Sequence, residues 1–453
     1  MGDTLSNETH DGDRDATPVV AVLTRVIAAH APLTPPSRHV LRPDQPVHLG
    51  RGERAGWRRD ATGLTLLLDD GWASERHARL RAVAGVWEVE DLGAKNGVLI
   101  NGVRTTRALL ADGDLLEIGR TYLRFTAAAE WTPDEPLDAA PVEPLPGVRT
   151  VAPGLARSLG QLATVARGLT PIVLLGPTGA GKELAARGVH AGSLRGGDFV
   201  AVNCAAIPRD LVESTLFGHR RGAFSGATDD QPGLVRSADR GTLFLDEVAE
   251  LSPGAQAALL RVLQEREVVP VGASRPVPVD LRVVVATHRD LPAMVRAGGF
   301  RADLWHRLRG FTLTLPALAA RRDDLGLIVA QLAARHTAAR GLEFQPRAVR
   351  ALLTYGWPGN VRELEQVLVA ALALAGAAPI GLAHLPTDLA AAPSGAPAVA
   401  TTDTDAQRAE LEALLEEHGG SVRAIARVVG KDPVQVRRWL RRFGLDAARY
   451  RRT

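Results

Sequence analysis

Pro171-Ile-Val-Leu-Leu-Gly-Pro-Thr-Gly-Ala-Gly-Lys-Glu183 is the stretch on which the reading of this chain turns. Ile172–Leu175 is a short apolar run of the kind that makes a buried strand. Gly176-Pro177-Thr178-Gly179-Ala180-Gly181-Lys182 follows at once, and a helical pattern opens at Lys182. Strand, glycine-rich loop and helix in that order make a phosphate-binding loop. Backbone N–H groups of Thr178–Lys182 can face phosphate oxygens, the helix N-terminus adds its dipole, and Lys182 supplies a compact cation for the terminal phosphates. Glu183 stands where the general pattern has a Ser or Thr as Mg²⁺ ligand.

Outward from this point the chain alternates. Strand candidates follow at Phe199–Asn203, Thr242–Asp246, Leu281–Thr287 and Phe311–Leu315, with longer helical segments between them. One of those helices opens with Ser252 as N-cap and Pro253 at its first position. Near-continuous apolar strands between helices predict an α/β unit, a parallel sheet covered on both faces. Thr242-Leu-Phe-Leu-Asp246-Glu247 ends a strand in two adjacent carboxylates. Asp246 is suited to hold Mg²⁺ and Glu247 to polarise an attacking water. Alone, either motif has a plainer reading as a glycine turn or a solvated acidic strand end; in order and on strands, the two specify a nucleotide site. An Ala- and Leu-rich helical lid is expected from about 317.

Composition divides the rest. Residues 128–147 (Pro, Ala and acids) and 387–404 (Ala, Pro and Thr) show no sustained period and read as solvated spacers. They bound an N-terminal part at 18–127, the nucleotide unit at 148–316 with its lid at 317–386, and a C-terminal part at 405–453. The first has short apolar runs between Asp-Gly, Asn-Gly and Gly-Arg pairs, the pattern of an all-β sandwich. The last is helical, with Asp432 and Pro433 opening its final helix.

Net charge is +3, but from Ser421 onward ten Lys or Arg face two Asp, a local +8 that leaves the remainder near −5. A basic tail on a slightly acidic body suggests a polyanion partner there, or simply a solvated basic tail. One cysteine, Cys204, excludes an intramolecular disulfide framework and fits a reducing compartment. The polar, acidic start is unlike a signal peptide, and no apolar run approaches the roughly 20 residues of a membrane span, so a cytoplasmic protein without a membrane partner is expected. Lysine occurs only at 95, 182 and 431, against 51 arginines (54 − 3), and each lysine falls in a motif. Arg220-Arg-Gly-Ala-Phe-Ser-Gly-Ala227 is glycine-punctuated and reads as a loop that carries one aromatic ring, Phe224, towards solvent.

At these residues, from about 148 to 386, the chain resembles the bacterial enhancer-binding AAA+ activators of sigma-54 RNA polymerase. Gly222-Ala223-Phe224-Ser225-Gly226-Ala227 matches their GAFTGA signature. GPTGAGKE matches their nucleotide loop, Glu183 included, and GTLFLDE, FRADLWHRL and WPGNVREL match three further segments. The resemblance implies ATP and Mg²⁺ as cofactors and a hexamer with nucleotide between protomers. Asn203 would couple Glu247 to the nucleotide, Thr287 and His288 would form the sensor I turn, Arg301 and Arg307 would be arginine fingers given to a neighbour, and Arg362 the sensor II arginine. Phe224 would grip sigma-54. Ser225 replaces the usual threonine, His288 the usual asparagine, Arg220 an acid and Arg240 a glycine.

Residues 18–127 resemble a forkhead-associated (FHA) domain, a sandwich that binds phosphothreonine peptides. The resemblance is carried by LGR at 49–51, SERH at 74–77, DLGAKNG at 91–97 and Asn101-Gly102. Arg51, Ser74 and Lys95 suit a phosphate and Asn96 a peptide backbone, with His77 as a buttress. The alternative is a sandwich that serves only as a spacer. Residues 405–445 resemble a Fis-type helix-turn-helix. Val436 and Leu440 would pack inside; Gln435, Arg438 and Arg442 would reach bases or phosphates, and Arg423, Lys431 and Arg437 the DNA backbone. The expectation is therefore a multidomain, phosphorylation-responsive activator that hydrolyses ATP, binds upstream DNA as a dimer, assembles to a hexamer and remodels polymerase, with a Ser/Thr kinase or its phosphoprotein as input. The alternatives are a DNA-binding regulator whose ATPase is vestigial or acts on another partner, and a remodeller that uses the FHA domain as adaptor.

Overall fold

The structure, a computed structural model, describes residues 18–133, 135–335 and 341–390, together with 414–415, 418–428, 440, 445 and 447–450 of the C-terminal part. The period-two runs of the N-terminal part become strands β1 (Val19–Ala28), β2 (Ser37–Leu41), β3 (Val47–Arg51), β4 (Gly56–Asp60), β5 (Gly63–Leu68), β6 (Ala78–Val83), β7 (Val86–Asp91), β8 (Val98–Ile100), β9 (Val103–Thr105), β10 (Arg107–Leu109), β11 (Leu115–Ile118) and β12 (Thr121–Glu130). They pack as two sheets, ordered β2-β1-β12-β11-β8-β9 and β10-β7-β6-β3-β5-β4, the first extended at its β2 edge by β13 (Asp138–Ala139). Alternate residues such as Trp87 and Val89, Leu64 and Leu66, and Leu123 and Phe125 meet in the core between them. The sandwich is as the spacing predicts.

The expected spacer at 128–147 is instead a strap. β13 pairs with β2, Asp138 opposite His39. Arg59 donates to the Asp138 carboxylate at 2.6 and 2.8 Å, and Glu135 pairs with Arg157. β14 (Val142–Leu145) then makes a hairpin with β15 (Val148–Thr150), and Leu145 is fully buried. Proline and acid content reads as solvated because Asp138 and Glu135 find their basic partners, Arg59 and Arg157, outside the segment. Of the second spacer, the part up to 390 holds α11 (Thr387–Ala390), with Leu389 buried.

The nucleotide unit forms as the alternation requires. Its segments are α1 (Pro153–Val165), β16 (Ile172–Leu175), α2 (Lys182–Gly192), β17 (Phe199–Asn203), α3 (Val212–Phe217), α4 (Leu234–Ser237), β18 (Thr242–Asp246), α5 (Pro253–Glu265), the short pair β19 (Glu267–Val268) and β20 (Val277–Pro278), β21 (Arg282–Thr287), α6 (Leu291–Arg296), α7 (Ala302–Leu308) and β22 (Phe311–Thr314). Five strands make one parallel sheet, ordered β17-β18-β21-β16-β22. Ile172 and Leu174 enter one core and Val173 the other; Phe244 and Val284 likewise oppose Leu243 and Val283. Both faces are therefore covered, which explains the uninterrupted apolar strands. Ser252 caps α5, its Oγ accepting from Ala255 N.

The lid comprises α8 (Leu325–Ala333), α9 (Pro346–Thr354) and α10 (Asn360–Ala375) around buried Trp357. Its core does not stop at the lid. Val26, Ile27, Ala29, Leu115 and Tyr122 of the sandwich share one apolar cluster with Leu325, Val329, Phe344 and Leu352. At the crossing of α8 and β1, a Cβ on Gly326 would stand 1.9 Å from Val26 O, so only glycine allows this approach. Polar bonds line the seam: Arg350 donates both arms of its guanidinium to Glu117 at 2.7 Å each, Tyr122 Oη donates to Pro346 O at 2.6 Å, and Phe344 N to Ala29 O at 2.7 Å. Of the C-terminal part, Val422–Val428 is helical, and Leu440 packs with Leu415 and Ile425.

Candidate functional site

β16 ends in the glycine loop, and three of its glycines take left-handed or extended positive φ: 143° at Gly176, 78° at Gly179 and 100° at Gly181. Lys182 begins α2 and is buried; its Nζ donates to the carbonyls of Gly176 at 2.9 Å and Pro177 at 3.2 Å. Burial draws this ammonium below its ordinary value, against the pull of Glu247 and Asp246. A desolvated cation whose partners are neutral carbonyls, at a helix N-terminus, fits an anionic phosphate. Asp246 sits at the end of β18, and burial pushes its carboxyl up although Lys182 pulls it down. A divalent cation would satisfy that carboxylate, so this residue set fits a Mg²⁺–nucleotide. Glu183 pairs with Arg187 one turn on, at 2.7 Å.

The lid closes over this loop. Asn360 Nδ2 donates to Thr178 O at 3.0 Å, Val361 N to Gly179 O at 3.0 Å, and Arg321 Nη2 to Ala180 O at 2.6 Å. Gly179 is pressed against the lid: a Cβ there would lie 2.4 Å from Gly359 O and 3.2 Å from Arg362 Cβ. Arg362 is thus beside the phosphate loop, and its charge adds to the lowering at Lys182.

Glu247 follows β18 in a left-handed conformation, φ 52° and ψ 48°, a strained setting for a side chain of this size. Its Oε2 lies 2.9 Å from His288 Nδ1 and 3.5 Å from Thr287 Oγ1 at the end of β21. The turn at Thr287 and His288 therefore holds the carboxylate. Asn203 is in register with Asp246 across β17 and β18, but its Oδ1 accepts from Ala205 N at 3.0 Å. The structure pairs Glu247 with His288 and turns Asn203 to its own backbone. Arg301 pairs with Asp303 at 2.7 Å and Arg307 donates to Leu263 O at 3.1 Å; among the described residues neither bonds to the phosphate loop of its own chain.

Gly222 (φ 80°) and Gly226 (φ 106°) turn the loop between them, closed by Gly222 N donating to Ala227 O at 2.8 Å. Ala223 meets Gly272, Ala227 is buried, and Ser225 is exposed. Phe224 is 36 % exposed, and one edge rests on His219 with ring centroids 4.9 Å apart. The loop stands on the 268–277 segment through Arg220 N to Val271 O at 3.0 Å, and Arg220 pairs with Asp230.

In the sandwich, the expected phosphopeptide residues come together on two loops. Arg51 N donates to Ser74 O at 2.9 Å, Lys95 N to Ser74 Oγ at 3.3 Å, and Asn96 Nδ2 to Trp72 O at 2.7 Å. His77 is fully buried, accepts from Ser74 N at 3.0 Å through Nδ1 and bonds Gly97 O through Nε2 at 2.9 Å. It buttresses the loop as expected. The proposed DNA contacts Lys431, Gln435, Arg437, Arg438 and Arg442, with Val436, lie outside the described residues, as does the side chain of Arg423.

The sigma-54 interaction domain family matches residues 149–314, the AAA+ ATPase lid domain family residues 319–402, and the FHA domain family residues 47–119. The transcriptional regulatory protein GlrR of Escherichia coli is 38 % identical over 303 residues, covering 66 % of this chain and 68 % of GlrR. This chain belongs to the family of regulators built on a sigma-54 interaction domain. The hydrogenase transcriptional regulatory protein HoxA of Cupriavidus necator is 48 % identical over 239 residues, and the chain spans about half of it, 48 %. The anaerobic nitric oxide reductase transcription regulator NorR of Aeromonas hydrophila is 41 % identical, with 63 % of its length covered. Among solved structures, NtrX from Brucella abortus in complex with ADP is 31 % identical, covers 64 % of this chain and 69 % of its own, and superposes with a TM-score of 0.49.

In the lid, the sequence missed Asn360 and Arg321 as clamps on the phosphate loop of the sigma-54 interaction domain. Asn360 lies inside the WPGNVREL segment, two residues before Arg362. Its positive φ of 56° has no signal in composition beyond the tolerance of asparagine for that conformation. Among the described residues no helix is long and apolar enough to cross a membrane.

Proposed function

We propose that this protein is an ATP-driven transcription activator that couples hydrolysis between protomers to movement of the Phe224 loop against sigma-54 RNA polymerase. The observation that carries the proposal is the joining, in one domain, of a lid-clamped phosphate loop, the Asp246–Glu247 pair and an exposed aromatic tip on a glycine-hinged loop. Lys182, the loop amides and Arg362 would bind the phosphates, and Asp246 would hold Mg²⁺. The bound nucleotide supplies a phosphoryl group to water, with charge spread over its oxygens. Glu247 orients that water and takes its proton, and His288 and Thr287 fix the carboxylate. Arg301 and Arg307, which make no bond to the phosphate loop of their own chain among the described residues, would leave Asp303 and Leu263 O to reach the site of a neighbour in a closed ring, a hexamer in this family's manner. The FHA domain would read a phosphothreonine protein, and the basic C-terminal part would place the assembly, as a dimer, on upstream DNA in the cytoplasm.

The test is capture of purified sigma-54 by the full chain with ADP and a metal-fluoride phosphate mimic. Capture that depends on the mimic and on Phe224 supports the proposal. Robust ATP turnover, abolished in Glu247→Gln, without any capture would instead point to a different remodelling target.

A further inference from the structure

The seam between sandwich and lid continues in both directions as bonded contacts. On the sandwich side, the loop that carries Ser74 begins at Asp70, which is 1 % exposed. Asp70 Oδ2 accepts from Arg120 N at 2.7 Å and Thr121 Oγ1 at 2.9 Å, and its Oδ1 from Trp72 N at 2.9 Å. Gly119 adds a close approach: a Cβ there would stand 2.9 Å from both Ala73 N and Asp70 Oδ2. The guanidinium of Arg120 also lies 4.5 Å over the exposed ring of Trp72. The Ser74 loop is therefore bolted to the β11–β12 turn.

That same hairpin grips the lid. Glu117 on β11, 3 % exposed, takes both arms of Arg350 on α9, and Tyr122 on β12 bonds the first residue of α9 at Pro346 O. From α9 the contacts continue. Leu352 O accepts from Trp357 Nε1 at 2.9 Å, Trp357 O accepts from Asn360 N at 2.9 Å, and Asn360 Nδ2 reaches the phosphate loop at Thr178 O. A buried, bidentate ion pair at this seam resists sliding, because parting its members would leave a charge desolvated and unpartnered.

We propose that the FHA domain is a fixed brace on the lid, so that occupancy of its Ser74 loop and occupancy of the phosphate loop are energetically linked through the β11–β12 hairpin. The ligand of the Ser74 loop rests on the phosphothreonine reading above; the linkage itself rests on the seam. A lid that turns during the nucleotide cycle carries the sandwich with it, and a ligand that reshapes the Ser74 loop alters the lid's hold on Thr178 and Gly179. Linkage is reciprocal for binding: each ligand changes the other's affinity by the same factor.

The experiment measures the affinity of the full chain for the non-hydrolysed analogue AMP-PNP, with and without a phosphothreonine peptide selected from a degenerate library, and the peptide affinity with and without AMP-PNP. The expected result is a shift of at least about threefold, equal in the two directions and absent in Arg51→Ala. Glu117→Gln, which keeps shape and removes charge, should bind each ligand yet bring the factor close to one; Arg350→Lys serves the same purpose if that variant does not fold. Peptide binding with no change in AMP-PNP affinity overturns the linkage, and so does a factor that survives both substitutions. If no library peptide binds, the phosphothreonine reading falls and the linkage is read from AMP-PNP alone. An affinity about threefold altered in Glu117→Gln then supports the brace, and an unaltered one overturns it.

Discussion

His288 Nδ1 lies 2.9 Å from Glu247 Oε2, and this contact holds a side chain whose own backbone is left-handed. Glu247→Gln should therefore lower turnover by roughly 10²- to 10⁴-fold while nucleotide affinity is kept, the signature of a lost general base. His288→Ala should lower kcat by roughly tenfold at nearly constant KM, because the carboxylate loses its support and the phosphate loop does not. Phosphate release over a range of ATP concentrations separates the two parameters.

Arg301 and Arg307 are spent on Asp303 and Leu263 O within their own chain. Arg301→Ala and Glu247→Gln should each be inactive alone, and mixing them should restore turnover well above the sum of the two. In a mixed ring, the Glu247→Gln protomer gives its intact arginine to a site whose glutamate is intact. No recovery on mixing, with assembly verified by light scattering, would place the arginines outside the reaction.

Phe224 rests one edge on His219 and remains partly open to solvent. Phe224→Ala should leave ATP turnover within about twofold of wild type, because the change removes surface contact and little core packing. It should abolish the mimic-dependent capture of sigma-54. His219→Ala, which removes the rest for the ring, should weaken capture without abolishing it.

Asp138 holds the strap to the sandwich. Burial pushes its carboxyl up, but hydrogen bonds from Arg59 and His39 outweigh this and hold it at about 2, below the ordinary 3.8. His39 is itself lowered by burial, so Arg59 carries the charge of the pair at neutral pH. The folded value is depressed, so the stabilisation is fully present above pH 3.8 and is lost as pH falls towards 2. Asp138→Asn should cost about 1–2 kcal/mol at pH 7 after allowance for partial solvent screening, and progressively less as pH falls through about 2. Urea unfolding of both chains across that window measures the difference.

The nucleotide unit was legible because its signals are local. The run Ile172–Leu175, the glycines after it and the carboxylates after Leu245 each declare themselves within a dozen residues, and strand spans came within one residue of those observed. The sandwich was legible for the same reason. The strap and the seam were not. Glu117 and Arg350 are 233 residues apart, and Arg59 and Asp138 are 79 apart. Each reads alone as a solvated charge on an arginine-rich chain, and only the folded topology makes them partners. Asn203 was legible in position but not in its bonding. Its place beside Asp246 follows from the strand, but a short side chain near a turn can satisfy its own backbone, and here it does. Glu247 is held instead by His288 and Thr287, the pair that the resemblance implied as the sensor I turn, with His288 in place of the usual asparagine.

Gly326 leaves no room for even a methyl between α8 and the carbonyl of Val26. A glycine codon becomes an alanine codon by a single-base change. Sandwich and lid are thus pressed together at a point where a single codon change would force the two apart.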